Sequence, residues 1–363
     1  MNTAVLTAER AEFTAPAPAP RVSSDDAAMI REAARLTRDL NSPNAAIFWG
    51  DLLASAVLGY GALALAIVAG PWWLTVAASI VAILALYRAG SFIHELTHLK
   101  PNAVAGFRTG WNLLLGVPLL VPSFLYEGVH NLHHARTRYG TADDPEYLPL
   151  ALMKPATLLV FLGVSAIAPI VLLLRFGVIA PLSFVIPGFR RLVVERYSAL
   201  SINPAFRRKA PEGAVARDWL VWESLASVWA IALLTMVATG VIPLRSFAIL
   251  LIVASGVAVL NQVRTLVAHL WENDGDPISV TAQYLDTVNV PPPGLLPALW
   301  APVGLRYHAL HHLLPGVPYH ALGEAHRRLA AGLPSTSAYH VANHAGLSGL
   351  VVRLVGGSVR ASR

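Results

Sequence analysis

Residues 45–92 read AAIFWGDLLASAVLGYGALALAIVAGPWWLTVAASIVAILALYRAGSF, and this stretch decides the fold. It contains two apolar segments, 45–70 and 72–92, and each is long enough for the roughly 20 residues that a helix needs to cross the hydrocarbon layer. Gly70-Pro71 marks the boundary between them, so the connection is a tight turn. The stretch therefore predicts a hairpin of two transmembrane helices.

A second pair of apolar segments, 219–239 and 247–268, repeats this arrangement later in the chain with a short connection at 240–246. The composition agrees with a membrane protein, because 55% of the 363 residues are apolar and only 13% are charged. We therefore predict an all-α integral membrane protein with about four transmembrane helices in two hairpins.

One further apolar run, 150–186, is also long enough to span a membrane, but it contains several residues that interrupt a helix. The interruptions are Pro169, Arg175, Gly177 and Pro181. We expect this run to lie in the interface or to form a re-entrant hairpin, so that the chain on both sides of it stays on one face of the membrane.

The basic residues are distributed unequally between the connections. The two short connections carry a single basic residue, Arg245, whereas the long segments 91–218 and 264–363 carry most of the others. The positive-inside rule then places these segments, and with them every histidine, on the cytoplasmic face of what we expect to be a bacterial inner membrane. We predict a histidine-rich helical cap on that face, and we attribute the net charge of +6 to lipid headgroup contacts rather than to nucleic acid.

The chain outside the apolar segments contributes two tails and one amphipathic segment. Residues 15–20 alternate Ala and Pro, a composition that cannot form a core. After Ser23 or Ser24, either of which is a suitable N-cap, apolar side chains recur at helical spacing opposite arginines, which indicates an interfacial helix or a solvated one. The predicted divisions are a disordered tail at 1–22, an amphipathic interfacial helix at 23–44, the membrane domain at 45–335 and a C-terminal tail at 336–363.

The second apolar segment runs into His94-Glu95-Leu-Thr-His98, the first of three histidine clusters. On a helix, His94 and His98 are one turn apart on the same face and can share a metal ion. The same pattern is the His-Glu-x-x-His signature of zinc metalloproteases, in which the glutamate is the general base. An intramembrane zinc protease, with Asp274 as its distant acidic ligand, therefore stays open at this point.

Two more clusters share the spacing His-x-x-His-His and bring eight of the thirteen histidines into three groups. They consist of His130, His133, His134, His308, His311 and His312. A zinc protease needs three protein ligands, so this surplus favours a site with two metal ions. The chain has no cysteine, and histidine alone does not distinguish iron, copper and zinc. A transporter or an inactive membrane scaffold is the alternative outside the enzymes.

In order and spacing, the three clusters resemble the histidine boxes of the membrane fatty acid desaturase and hydroxylase superfamily. The resemblance covers about 45–329 and extends to the segments 140–147 and 313–320, which follow the second and third boxes. It implies two iron ions (Fe2+/Fe3+) on the cytosolic side, and it implies no catalytic side chain beyond their ligands. The implied ligands are His94, His98, His130, His133, His134, His269, His308, His311 and His312.

The resemblance also implies dioxygen-dependent oxidation of a lipid chain. We expect a desaturase that acts on a fatty acyl chain of a lipid or of an acyl carrier. A hydroxylase, a ketolase or an oxidative decarboxylase of a fatty acid, alkane or carotenoid is the alternative on the same scaffold. The chain has no dinucleotide-binding fingerprint and no cysteine for an iron–sulfur cluster, so it requires an external electron donor. The implied donor is a ferredoxin, a rubredoxin or a b-type cytochrome.

Metal-bound imidazoles usually donate their second N–H group to a carboxylate or a carbonyl oxygen. The polar side chains near the boxes that can support them in this way are Glu95, Glu127, Asp143, Asp144, Glu146 and Asn273. Each of them can instead be an ordinary polar residue of an interfacial loop, an alternative that is weakest for Asp144. Asn261 and Arg264, near the inner end of an apolar segment, must face protein or water, where they line the site or hold helices together.

Overall fold

The computed structural model describes residues 25–362, and every regular element in this part of the chain is helical. In chain order, the α-helices are α1 (Ala27–Leu36), α2 (Ala45–Val68), α3 (Trp72–Gly90), α4 (Phe92–His98), α5 (Phe107–Trp111), α6 (His130–His133), α7 (Pro155–Leu174), α8 (Ala180–Val185), α9 (Pro187–Tyr197), α10 (Gly213–Ala238), α11 (Leu244–Leu266), α12 (Val280–Asp286), α13 (Pro297–Trp300), α14 (His308–Leu313), α15 (Leu322–Gly332) and α16 (Leu347–Ala361). The predicted all-α class is confirmed.

The predicted first hairpin is present as α2 and α3, which are joined at residues 69–71. The two helices approach closely because Gly59 of α2 lies against Leu86 of α3. A Cβ atom at Gly59 would be only 2.7 Å from the Leu86 Cδ2 atom. α3 and α4 together form one apolar helix of 27 residues, so the first histidine box continues the hairpin's second helix.

The second predicted pair, α10 and α11, is arranged differently from the first. α7 packs along α11, and the side-chain amide of Gln262 donates a 3.1 Å hydrogen bond to the Phe161 carbonyl oxygen. The π-helical turn that follows α7 packs against α10, where Gly177 leaves room for the Leu234 side chain. α7 and its continuation therefore contribute packing surfaces to both members of the pair.

The run 150–186 contains a fifth long apolar helix, residues 155–185, of sufficient length and apolarity to cross a membrane. α7 continues past Pro169, and the π-helical turn Arg175–Ile179 connects it to α8. A wider π turn accommodates irregular hydrogen bonding, and Pro181 lies in the first turn of α8, where a missing N–H group is tolerated. Residues 25–362 thus contain five helices long and apolar enough to cross a membrane, one more than the four predicted to span it, because neither proline ends the helix.

After this long helix, the chain returns to the end of the helix bundle at which α7 begins. The backbone N–H groups of Ile202 and Asn203 donate to the carbonyl oxygen of Pro145 at 3.0 and 3.1 Å. The segments before α7 and after α9 thus meet at one end of the bundle.

The terminal segments pack on the cap. α1 is capped by Asp26, whose side chain accepts from the Met29 N–H group, and Met29 is buried against α15. The predicted caps Ser23 and Ser24, like the predicted tail at 1–22, lie outside the described residues.

The segment 336–363, predicted as a tail, contains α16. This helix buries a stripe of small and apolar side chains at Leu350, Leu354 and Ser358. The Ser358 hydroxyl donates to the Met153 carbonyl oxygen at 2.5 Å. The helical spacing of the stripe explains why this segment folds back on the cap.

Candidate metal centre

The three histidine boxes and His269 meet at one end of the long helices. The first box lies on α4, the second forms α6, the third begins α14, and His269 follows the end of α11. Seven of the nine imidazoles are buried, while His98 and His134 are partly exposed. The structure therefore brings together all nine side chains that the resemblance implied as ligands.

The nine side chains form two groups, and within each group the candidate ligand atoms lie within 4.8 Å of one another. The first group is His94, His98, His130, His134 and His311. The second group is His133, His269, His308 and His312. Each His-x-x-His-His box serves both groups, because its residues four apart share one helix face and the histidine between them points to the other group.

The distances between ring nitrogens are those expected between neighbouring ligands of one metal ion, and they also lie in the range of hydrogen bonds. The Nε2 atoms of His130 and His134 lie 2.9 Å apart, and those of His269 and His308 lie 3.1 Å apart. With metal–nitrogen bonds of about 2.1 Å, neighbouring ligands of an octahedral ion are about 3.0 Å apart. Both ring nitrogens of His94 are buried without a hydrogen-bond partner, a cost that a metal ligand avoids. The donor set and its spacing fit two metal ions.

The electrostatics of the site favour neutral imidazoles, the form that binds metal. Burial lowers the pKa of His134, His269 and His312 well below the ordinary value for histidine. His133 differs from these three: burial lowers its pKa, but the carboxylates of Asp144, Glu146 and Asp286 together raise it, and the net direction is upward.

Asp144 and Glu146 support the second box. Asp144 is fully buried, and its carboxylate oxygens lie 2.9 and 3.1 Å from His133 Nδ1. It also accepts from the Gly140 and Glu146 N–H groups, both at 2.8 Å, which fixes its orientation. The Glu146 carboxylate lies 3.1 Å from His130 Nδ1, and burial raises the pKa of Glu146 to about 7. Two of the predicted supporting carboxylates thus reach ligand imidazoles.

Other predicted supporting side chains have different partners. Glu95 accepts from the Tyr319 N–H group at 3.0 Å and approaches His94 Nδ1 only to 3.7 Å. Glu127 touches no histidine, because both of its carboxylate oxygens accept hydrogen bonds from Arg108. The expectation that Glu127 supports a ligand is therefore wrong.

Three further predicted side chains do not touch a histidine of either group. Asp143 is exposed, and its N–H group donates to the Thr141 hydroxyl. Asn273 donates to the Asp276 carbonyl oxygen at 2.9 Å and closes a loop instead. Asn261 lines a cavity that leads to the histidines. Asn273 follows His269 and Asp143 follows the second box in sequence, but each takes part in a local turn and not in a contact with a histidine.

Two supporting interactions come from α12, which the sequence does not connect to any box. The Tyr139 hydroxyl lies 2.9 Å from His269 Nδ1 and donates to Asp286 at 2.8 Å. The side-chain amide of Gln283 lies 3.0 Å from His312 Nδ1. Gln283 and Asp286 are three residues apart on one helix face, so α12 supports two ligands of the second group. Because Gln283 and Asp286 are far from the boxes in sequence, no pattern in the sequence connects them to the metal centre.

The geometry argues against the zinc protease. Its general base would be Glu95, whose carboxylate is engaged with the Tyr319 backbone. Asp274, its candidate acidic ligand, is exposed and belongs to neither histidine group.

A cavity of about 600 Å³ leads to the histidines from between α7 and α11. At its inner end it reaches His94, His130, His133, His269 and His308. Its walls along the two helices are largely apolar and include Val160, Phe161, Val164, Ala168, Leu172, Ala254, Val257 and Ala258, and the polar residues along them are Thr157, Ser165, Asn261, Gln262, Arg264 and Thr265. Cavities of this size and polarity are typical of sites for largely apolar ligands.

Comparisons with known proteins agree with this arrangement. The family model described as fatty acid desaturase matches residues 70–343. The chain is 47% identical over 325 residues to a ceramide hydroxylase of Caulobacter vibrioides (strain NA1000 / CB15N), a match that covers 90% of this chain and 92% of the relative. No solved structure matches the chain. The resemblance drawn from the histidine boxes is confirmed, and the protein is a membrane oxidoreductase of lipid metabolism.

Proposed function

The chain belongs to the fatty acid desaturase family, and we propose that it hydroxylates ceramide, a lipid with two long alkyl chains and a polar amide head. The observation that carries this proposal is the 47% identity to a ceramide hydroxylase over nearly the whole of both chains. The resemblance of the histidine boxes led us to expect desaturation, with hydroxylation as the alternative. The relative supports the alternative.

The proposed reaction replaces one C–H bond of the lipid by C–OH. One atom of dioxygen enters the product, and the other leaves as water with two protons and two electrons from an external donor. Desaturation consumes the same dioxygen and electrons, but it removes two hydrogens from the lipid and releases two waters. Two iron ions held by the histidine groups would supply the binding and reduction of dioxygen.

The side chains of the protein keep the ligand nitrogens available. Asp144 and Glu146 face the Nδ1 atoms of His133 and His130, so the proton of each neutral ring is held at Nδ1 and its Nε2 atom is free to bind a metal. The Tyr139 hydroxyl oxygen faces His269 Nδ1 in the same way, and its O–H group donates a hydrogen bond to Asp286. The apolar walls of the cavity bind the alkyl chain and exclude bulk water.

The proposed setting is the cytoplasmic face of a bacterial inner membrane. Its support is the distribution of basic residues, which concentrates positive charge in the segments that carry the histidines. A soluble electron carrier on that side, such as a ferredoxin, a rubredoxin or a b-type cytochrome, would then reach the partly exposed edge of the site at His98 and His134.

The test is expression in a host that makes ceramide but has no ceramide hydroxylase, followed by mass spectrometry of total lipids. We expect ceramide that gains one oxygen and keeps all its carbon-bound hydrogens but one. His134→Ala should abolish this product, whereas His344→Ala, outside both groups, should retain it. A ceramide that loses two hydrogens without gaining oxygen would establish the desaturase instead, and unchanged lipids beside an iron-loaded protein would contradict both.

A further inference from the structure

Arg264 is a buried cation at the metal end of the cavity. Its side chain is 8% exposed and lines the cavity beside His94, His269 and His308. Among residues 25–362, its guanidinium lies 3.0 Å from His308 Nδ1 and forms no ion pair. A guanidinium carries five N–H donors, so most of the donors of Arg264 have no protein partner.

An unpaired buried charge is costly, and polar groups inside apolar segments usually serve a ligand. The titratable groups that act on Arg264 at longer range are Tyr87, Tyr126 and Glu146, of which only Glu146 is a carboxyl group. Glu146 is engaged with Tyr126 and faces His130, so it does not replace a direct partner for the guanidinium. The free donors of Arg264 therefore fit a ligand that brings oxygen acceptors into the cavity.

The polarity of the cavity changes along α11. Arg264 and Asn261 form a polar surface near the histidines, whereas Ala254, Val257 and Ala258 form an apolar surface farther away. At about 1.5 Å per residue, Ala254 lies about 15 Å along the helix from Arg264. A lipid bound in this cavity would place its alkyl chain toward Ala254 and its polar head beside Arg264, next to the histidines.

We propose that Arg264 binds the oxygen atoms of the lipid's polar head, the amide carbonyl or a hydroxyl, and so directs hydroxylation to a carbon close to the head rather than to the middle of a chain. This inference rests on the proposed function. It assigns Arg264 as a positioning residue for substrate, with its guanidinium lying 3.0 Å from His308 Nδ1. The cavity then selects lipids that have both an alkyl chain and acceptors at the head.

The experiment uses Arg264→Gln and Arg264→Lys with Arg245→Gln as the matched control. Arg245 begins the same helix at its opposite end and donates to the Ile67 and Ala69 carbonyl oxygens, away from the cavity. Binding of a short-chain fluorescent ceramide, and of an alkane of equal length as its competitor, is measured on iron-loaded and on iron-depleted protein. Iron content and the position of the new hydroxyl group are determined for each variant.

We expect Arg264→Gln to bind ceramide at least about tenfold more weakly, the effect of losing a charge-assisted hydrogen bond. Its alkane binding and iron content should match the wild type, and its products should spread over several carbons. Arg264→Lys keeps the positive charge, so its affinity for ceramide should lie between those of Arg264→Gln and the wild type. Arg245→Gln should behave as the wild type.

Two results would overturn the inference. One is an Arg264→Gln protein that binds ceramide as the wild type does and oxidises the same carbon. The other is a variant whose sole defect is lost iron, with unchanged ceramide binding in the depleted state, since Arg264 would then only support His308. If ceramide binding depends on Arg264 but the product is an alkene, the proposed hydroxylation is wrong and this inference stands.

Discussion

The Nδ1 atom of His133 lies 2.9 Å from a carboxylate oxygen of Asp144, and both side chains are buried. This contact joins the second histidine box to the turn that follows it, eleven residues later. Because the carboxylate also accepts two backbone N–H groups, it is held in place before any metal binds. The interaction makes the support of one ligand directly testable.

Asp144→Asn should lower the affinity for iron by about 10- to 100-fold, because an amide orients and polarises the His133 ring less well than a carboxylate. Iron per chain, measured after dialysis against a graded chelator, checks this. Asp143→Asn, an exposed neighbour, should have wild-type affinity. Equal affinities in both variants would show that Asp144 does not support a ligand.

His312→Ala should remove iron mainly from the second group, which has only four histidines, and should abolish hydroxylation. The expected result is retention of one iron ion per chain with normal membrane insertion. Elemental analysis of purified protein measures the iron content, and membrane fractionation measures the insertion. Full iron content with retained turnover would contradict the assignment of His312 as a ligand.

Glu146→Gln and Glu127→Gln should have opposite effects, although both replace a carboxylate near the second box. Glu146 faces His130 Nδ1, so its loss should lower iron affinity. Glu127 pairs with Arg108, and its loss should lower the free energy of unfolding by about 1 kcal/mol and leave iron content unchanged. Chelator titration and thermal unfolding in detergent separate the two outcomes.

Gly59→Ala should destabilise the first hairpin by about 1–3 kcal/mol, because the new Cβ atom would overlap Leu86. Gly61→Ala, on the same helix with open space around it, should leave stability unchanged or raise it by up to about 1 kcal/mol. Thermal unfolding in one detergent compares the two. Equal midpoints would show that the close approach of α2 and α3 contributes little.

The sequence by itself determined the class of fold, the first hairpin and the eight histidines of the three boxes, because these depend on local patterns. Runs of apolar residues specify membrane helices, and the spacing of a box specifies which imidazoles share a helix face. The family resemblance supplied His269, which no spacing rule connects to a box. It left hydroxylation and desaturation unresolved, since the ligands are the same for both.

The tertiary structure decided the rest, because those features join residues that are distant in sequence. It assigned the histidines of each box to different groups, brought α12 against His269 and His312, and placed Arg264 at the head of the cavity. It also showed that the long helix continues past Pro169, which depends on packing against α11 and not on local propensity. Long-range packing, and not sequence proximity, determines which polar groups surround the metal centre.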